Sequence, residues 1–390
     1  MAAARDFTPI RGAMQRYVDA SVVPGISWAV IAGREVVETG CVGWADVEAK
    51  VPLRNDHLFR VFSNTKLVTS CAVLMLVEEG RLALDDFAEK FLPQLADRRV
   101  LRPGATEAGD TEPAASAITI RHLMTHTSGL GYGVLDPGTL MFRLYNEHRA
   151  LNPATPLSDM MEVLGKLPLA CHPGTAWDYS IATDVLGRLV EVVSGKKFDA
   201  FLQERIFAPL GMSDTGFVAT DKARLATYYA GADPLDPMKP GLTRLDNHPY
   251  PGAFVVPVPR LSGGGGLVSS LPDMVSLVKS LMPGGDTLLK SATIAQLRTN
   301  QLPPGRCIRF VRTGEVPGKG FGLGSAVTLK PAANEPPQSA GELEWGGIAG
   351  THWWISPDGR LAGLSMTQRQ LGFWHPFAFE FKRLAYAAAG

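Results

Sequence analysis

Ser63 and Lys66 stand three apart in L-F-R-V-F-S-N-T-K, at the mouth of L-V-T-S-C-A-V-L-M-L-V-E-E-G, which is apolar almost to its end. A hydroxyl and an amine at i and i+3 share one helix face, so the amine can reach the hydroxyl and activate it for acyl transfer. Desolvation in an apolar helix and the positive end of its dipole both act to depress the Lys66 pKa, and a neutral lysine is a usable general base. The same stretch admits a bland reading, with Ser63 or Asn64 as a helix N-cap and Lys66 extended to water. The spacing also recurs at Ser194-Lys197 and Ser276-Lys279. Ser194 precedes Gly195 at the end of a helical pattern, which reads as a helix stop. Ser276 and Lys279 fall on the polar face of an amphipathic helix. No G-x-S-x-G elbow occurs, which argues against an α/β-hydrolase. A Ser-His-Asp triad using His122, His126 or His352 is open, but no spacing singles one out.

Two sets of elements must position these residues. The segment G-I-S-W-A-V-I-A-G-R-E-V-V-E-T-G-C-V-G-W alternates about Gly33-Arg34, a β-hairpin pattern. Near the C-terminus, T-H-W-W-I-S-P-D-G-R-L-A-G-L-S-M-T places a Pro357-Asp358-Gly359 turn between two β-prone runs, and H-P-F-A-F-E-F-K-R-L-A-Y-A-A-A reads as a helix. Both ends are expected to share one antiparallel sheet. Between them helical patterns dominate, so the expected division is residues 1–82 with 259–390 as the sheet-bearing α/β domain and 83–258 as a mainly helical domain. Irregular stretches are expected at 98–117, 233–259 and 331–341.

Composition narrows the function. The 390 residues carry 38 acidic and 38 basic side chains, so no charge excess points to nucleic acid or an anionic membrane. No run of about 18 apolar residues occurs. Arg5, Asp6 and Arg11 interrupt any signal-peptide core, so a cytoplasmic location is expected. Cys41, Cys71, Cys171 and Cys307 are widely spaced and read as free buried thiols. His122 and His126 have metal-ligand spacing without the intervening Glu or a third ligand, and read as structural. S-G-G-G-G-L at 262–267 lacks a following Lys-Ser/Thr and reads as close backbone packing beside the site. Neither metal nor organic cofactor is called for.

Three further stretches follow Ser63-Asn64-Thr65-Lys66 in order: H-L-M-T-H-T-S-G-L at 122–130, W-D-Y-S at 177–180 and W-G-G-I-A-G at 345–350. Together they resemble the serine β-lactamase and D-alanyl-D-alanine peptidase superfamily, most closely the class C-like family VIII carboxylesterases, over nearly the whole chain. The resemblance implies an α/β fold of α+β type, β-lactamase/transpeptidase-like, with an antiparallel sheet flanked by helices and an inserted helical domain. It implies Ser63 as acylated nucleophile, with Lys66 and Tyr179 as the general base/acid pair. The backbone N–H groups of Ser63 and Ile348 would form the oxyanion hole.

Trp345, Gly346, Gly347 and Tyr132 would line the substrate, the two glycines letting an edge strand approach it closely. Asp178 would tune the Tyr179 phenol or cap a turn, and Trp177 would wall the site or sit in the core. Two departures matter: Tyr179 is followed by Ser180 and Ile181, not by x-Asn, and Trp345 stands where lactamases keep a lysine. A tryptophan offers apolar area in place of a carboxylate partner, which favours small neutral esters over β-lactams. The resulting expectation is a serine carboxylesterase with a small-molecule ester as its partner. The alternatives are a β-lactamase or D,D-peptidase with altered motifs, an acyltransferase of the same fold, and a non-catalytic sensor.

Overall fold

Strand Gly25–Ala32 pairs antiparallel with Glu35–Asp46 on one side and with Leu361–Met366 on the other, so the two chain ends meet at the middle of one sheet. The computed structural model describes residues 6–135, 137–310 and 314–390. The sheet has eight strands in the spatial order Lys319–Phe321, Ala326–Thr328, Leu343–Gly347, Thr351–Ile355, Leu361–Met366, Gly25–Ala32, Glu35–Asp46, Val51–Pro52. Each neighbouring pair is antiparallel.

Every residue of Gly25–Ala32 and of Leu361–Met366 is buried, because helices cover both faces. Alternation along the strand still sorts the side chains. Ile26, Trp28 and Val30 join the helices Thr8–Asp19 and Pro376–Ala389 through Ile10, Met14, Phe377 and Phe381. Ala29 and Ile31 turn to the other face, into the core that holds the helix Thr65–Glu78. That helix is buried nearly all round, from Thr65 to Leu74 and at Leu76, and packs on the helix Ala182–Ser194. Gly80, at φ +68°, takes the left-handed conformation that follows its end. Gly195 does the same after Ser194, as its helix-stop reading requires.

Two expectations change. Of the four cysteines, all free, only Cys71 is buried; Cys41, Cys171 and Cys307 are half-buried because they lie off the core-facing helices. The stretches 98–117 and 233–259 are not wholly irregular, since Arg99–Leu101 pairs with Thr111–Pro113 and Leu242–Arg244 with Tyr229–Gly231.

Leu343–Gly347 is anchored from below by charge. Lys382, from the C-terminal helix, contacts Glu342, Glu344 and Glu335, while Lys319 contacts Glu344 and reaches Glu335 at 2.6 Å. Tyr386 donates to Glu342 at 2.6 Å. Three carboxyls, those of Glu335 and Glu342 buried and that of Glu344 half-buried, face two ammonium groups, leaving one acid in surplus. Burial pushes the Glu342 carboxyl up to about 7, with the Glu344 charge adding to the rise.

Lys382→Met strands these acids and is expected to lower the unfolding free energy by about 3–5 kcal/mol. Glu342 holds its proton more tightly folded than unfolded, so its contribution is full below about pH 4.5 and fades as pH rises through about 7. Glu342→Gln is expected to remove that loss. Denaturant melts on either side of the window check both variants.

Candidate active site

Strand Leu58–Arg60 pairs with Val268–Ser270 outside the central sheet, and the chain then turns through Phe62–Asn64 into the helix Thr65–Glu78. Phe62 has φ +42°, an unfavourable conformation for a bulky residue, and makes the strand-to-helix turn sharp. Surrounding bonds hold it. Val61 N–H donates to the Leu267 carbonyl at 3.1 Å, Thr351 Oγ1 donates to the Val61 carbonyl at 3.2 Å, and Asn64 Nδ2 donates to the Thr351 carbonyl at 3.3 Å. Asn64 thus spends its amide on the sheet and makes no side-chain cap to the helix.

Ser63 Oγ accepts a hydrogen bond from Tyr179 Oη at 2.8 Å. Lys66 is 1% exposed, and its Nζ donates to the Gly264 carbonyl at 2.6 Å. The same Nζ lies 4.5 Å from the Tyr179 ring centroid and 5.4 Å from that of Tyr132. Such faces attract a cation strongly once water is excluded. Burial alone favours a neutral Lys66, but Tyr132, Tyr179 and Asp184 outweigh it and the pKa moves up. The expected depressed, neutral lysine is therefore corrected to a buried ammonium, because its polar surroundings are richer than the apolar helix suggests.

Burial pushes the Tyr132 phenol up to about 12. Tyr179 is walled by other rings: Trp177 stacks on it at 5.9 Å, His126 tilts against it at 4.8 Å, and Tyr132 meets it edge-on at 5.6 Å. Burial and the Lys66 charge hold His126 neutral, and its Nδ1 accepts the Ser180 N–H at 3.2 Å. His122 instead closes a capping box with Thr119 at the start of the helix Ile120–Met124. The paired spacing of the two histidines is thus structural. His352 lies 3.3 Å from the Gly372 carbonyl, and burial lowers its pKa to about 4. Cys171 Sγ and the His126 carbonyl are neighbours of Asp178, which accepts from the thiol at 3.8 Å and donates its N–H to the carbonyl at 2.9 Å. Among the described residues, no group of three or more His, Cys, Asp or Glu is placed to hold a metal ion, and no helix is long and apolar enough to cross a membrane.

The third motif meets this cluster from the sheet. Trp345 is 5% exposed and packs on Tyr179 at 5.6 Å, Phe321 at 5.3 Å and Phe373 at 5.7 Å. Leu343–Gly347 is an interior strand, not an edge strand as expected. Its pairing with Ala326–Thr328 stops at Glu344, however, which opens a local edge along Trp345–Gly347. A Cβ on Gly347 would lie 2.3 Å from the Val61 carbonyl oxygen, so only glycine lets this strand approach the turn that carries Ser63. A Cβ on Gly346 would meet His352 Nδ1 at 2.8 Å. Ile348 follows in the tight turn closed by Gly350 N–H on the Gly347 carbonyl at 2.9 Å.

Sequence reasoning missed Asp184, Arg260 and the Gly264 carbonyl. Asp184 carried a faint signal, as an acid beside the apolar Val185-Leu186 pair just after Tyr179. The glycine loop's reading as backbone packing fits: Thr69 Oγ1 donates to the Gly263 carbonyl at 2.8 Å, beside the Lys66–Gly264 contact.

An antiparallel sheet covered by helices, with a serine and a buried lysine opening a core helix and a tyrosine bonded to the serine, defines the β-lactamase/transpeptidase-like class. The Beta-lactamase family matches residues 10–386, and the chain belongs to that family. It is 36% identical over 342 residues to "Esterase EstB" of Burkholderia gladioli, covering 85% of this chain and 82% of that one. Among solved structures it is similar to "EstCE1, a hydrolase with promiscuous acyltransferase activity", at TM-score 0.82 and 25% identity over 97% of this chain and 98% of that one. It is also similar to a mutant of simvastatin synthase (LovD) from Aspergillus terreus, at TM-score 0.79 and 27% identity over 99% and 95%. The protein is an enzyme, a serine hydrolase of the β-lactamase fold.

Gly347→Ala forces the strand away from Val61 and is expected to lower kcat/KM by about a hundredfold, as a misplacement near 1 Å does. Steady-state ester kinetics, with circular dichroism to show that the fold is kept, check this.

Proposed function

We propose that the protein is a carboxylesterase that hydrolyses small neutral carboxylic esters through an acyl-enzyme on Ser63. The observation that carries this reading is the 2.8 Å bond between Tyr179 and Ser63, made directly above the buried Lys66 ammonium. In the proposed reaction the competent form pairs a Tyr179 phenolate with the Lys66 ammonium; the Ser63 hydroxyl turns to donate to it, and Tyr179 Oη takes that proton as Oγ attacks the ester carbonyl carbon. Lys66 stays protonated and stabilises the Tyr179 phenolate before the proton arrives and again once it has been passed on. The Ser63 and Ile348 N–H groups receive the oxyanion. When the tetrahedral species collapses, the C–O bond to the alcohol breaks and Tyr179 returns its proton to the leaving oxygen. Water then repeats the sequence on the acyl-enzyme and releases the acid and free Ser63.

Two features support a neutral ester. Trp345 presents apolar surface at the position where a β-lactamase keeps a cation, and the rings of Trp177, Tyr132 and Phe310 surround Tyr179. The substrate would sit where the sheet-bearing part, residues 1–82 and 259–390, meets the mainly helical part, residues 83–258. The similarity to EstCE1 and simvastatin synthase favours a second reading, in which an alcohol replaces water as acyl acceptor.

Lys66→Ala and Tyr179→Phe are each expected to lower kcat for p-nitrophenyl butyrate by about 10²–10⁴ while KM moves only a few fold. Wild type should turn over this ester far faster than a cephalosporin. A cephalosporin preference, or variants that raise KM alone, would overturn the reading; added alcohol reports on transfer through the ratio of ester to acid formed.

A further inference from the structure

Asp184 stands in the first turn of the helix Ala182–Ser194 and is 1% exposed, among Val185, Leu186 and Leu189. A carboxylate in such surroundings is costly unless charge and hydrogen bonds meet it. Oδ1 is met: it accepts from Arg260 Nη2 at 3.1 Å, and Arg260, also buried, donates from Nη1 to the Ala150 carbonyl at 2.6 Å. Oδ2 has no hydrogen-bond partner among the described residues.

The glycine loop shows where Oδ2 is aimed. A Cβ built on Gly264 would fall 2.5 Å from Oδ2 and 3.3 Å from Tyr132 Oη. The carbonyl of that same glycine accepts from Lys66 Nζ. The carboxylate therefore looks across a bare glycine toward the Lys66 ammonium, and a side chain at Gly264 would close the gap. The groups around Lys66 from the packed elements are Tyr132, Tyr179, the neutral His126, and Asp184 with Arg260 behind it. Asp184 is the carboxyl group among them.

We propose that Asp184, clamped by Arg260, is a positioning residue for the reaction at Ser63: through Gly264 it fixes Lys66 beneath Tyr179 and keeps it charged, so that Tyr179 can be the phenolate that accepts and returns the proton. The proposal rests on the reading of Ser63, Lys66 and Tyr179 as the reacting groups. Without the carboxylate, burial at Lys66 is opposed by the two tyrosines alone, and the balance moves toward the neutral form. A neutral Lys66 cannot stabilise a phenolate, so activity is lost first on the alkaline side.

The test follows ester turnover against pH in wild type, Asp184→Asn, the double variant Asp184→Asn with Arg260→Gln, and Arg260→Lys. The double variant leaves no unpaired guanidinium in the core. Both Asp184 variants are expected to lose about tenfold or more in kcat with KM within about threefold, and to move the alkaline limb down by about one pH unit. Arg260→Lys keeps the charge but loses the fork, and should shift the limb the same way by less. A wild-type kcat and pH profile in any folded Asp184 variant, or a loss confined to the melting temperature, overturns the proposal. If neither Asp184 variant folds, Arg260→Lys decides, and a wild-type profile there overturns it. Ser63→Ala separates the two levels. Retained turnover in Ser63→Ala sinks the underlying reading, whereas a dead Ser63→Ala beside unshifted Asp184 variants sinks only this one.

Discussion

A fully buried ammonium has to be met on every side by groups that tolerate positive charge, and Lys66 imposes that demand on separate parts of the chain. The helix Thr65–Glu78 carries it inward, the 262–267 loop offers the Gly264 carbonyl, and Tyr179 and Tyr132 offer ring faces. In a low-dielectric interior each such contact is worth more than in water, and each missing one costs more. These segments must therefore arrive together for the core to close. Their arrival also sets Tyr179 against Ser63, so assembling the site and satisfying the core are the same event.

The sheet supplies the rigid side of that arrangement. Strands from both chain ends pair at its centre, and the two strands after them, Leu343–Gly347 and Thr351–Ile355, reach the Ser63 turn through Gly347, Thr351 and Asn64. On the strand's far side Glu342 and Glu344 are bound by Lys319 and Lys382. An ionic anchor below and a glycine contact above fix the height at which Trp345 and Ile348 meet the turn. Loops cannot hold geometry as firmly, which suits a strand to carry the turn whose Ile348 N–H is proposed for the oxyanion hole.

Much of this was legible from the sequence, because it depends on local pattern. The two hairpins follow from alternation and turn residues, the core helix from its apolar run, and the separation of Ser63-Lys66 from its two look-alikes from their neighbours. The Gly346-Gly347 pair announced a close approach, though not its partner, the Val61 carbonyl. What stayed hidden depends on contacts between distant residues. The upward shift of Lys66 comes from Tyr132, Tyr179 and Asp184, the pairing of Asp184 with Arg260 joins segments far apart in sequence, and the interior position of Leu343–Gly347 follows from two short strands, Lys319–Phe321 and Ala326–Thr328, with little pattern of their own.

The central claim is that one serine, bonded to Tyr179 above the Lys66 charge, forms the covalent intermediate. Intact-mass measurement and peptide mapping after treatment with a phosphonate ester test it most directly, in wild type and Ser63→Ala. The account predicts a single adduct on the peptide containing Ser63 in wild type and none in Ser63→Ala. Equal labelling of both proteins, or an adduct that maps to Ser194 or Ser276, would contradict it.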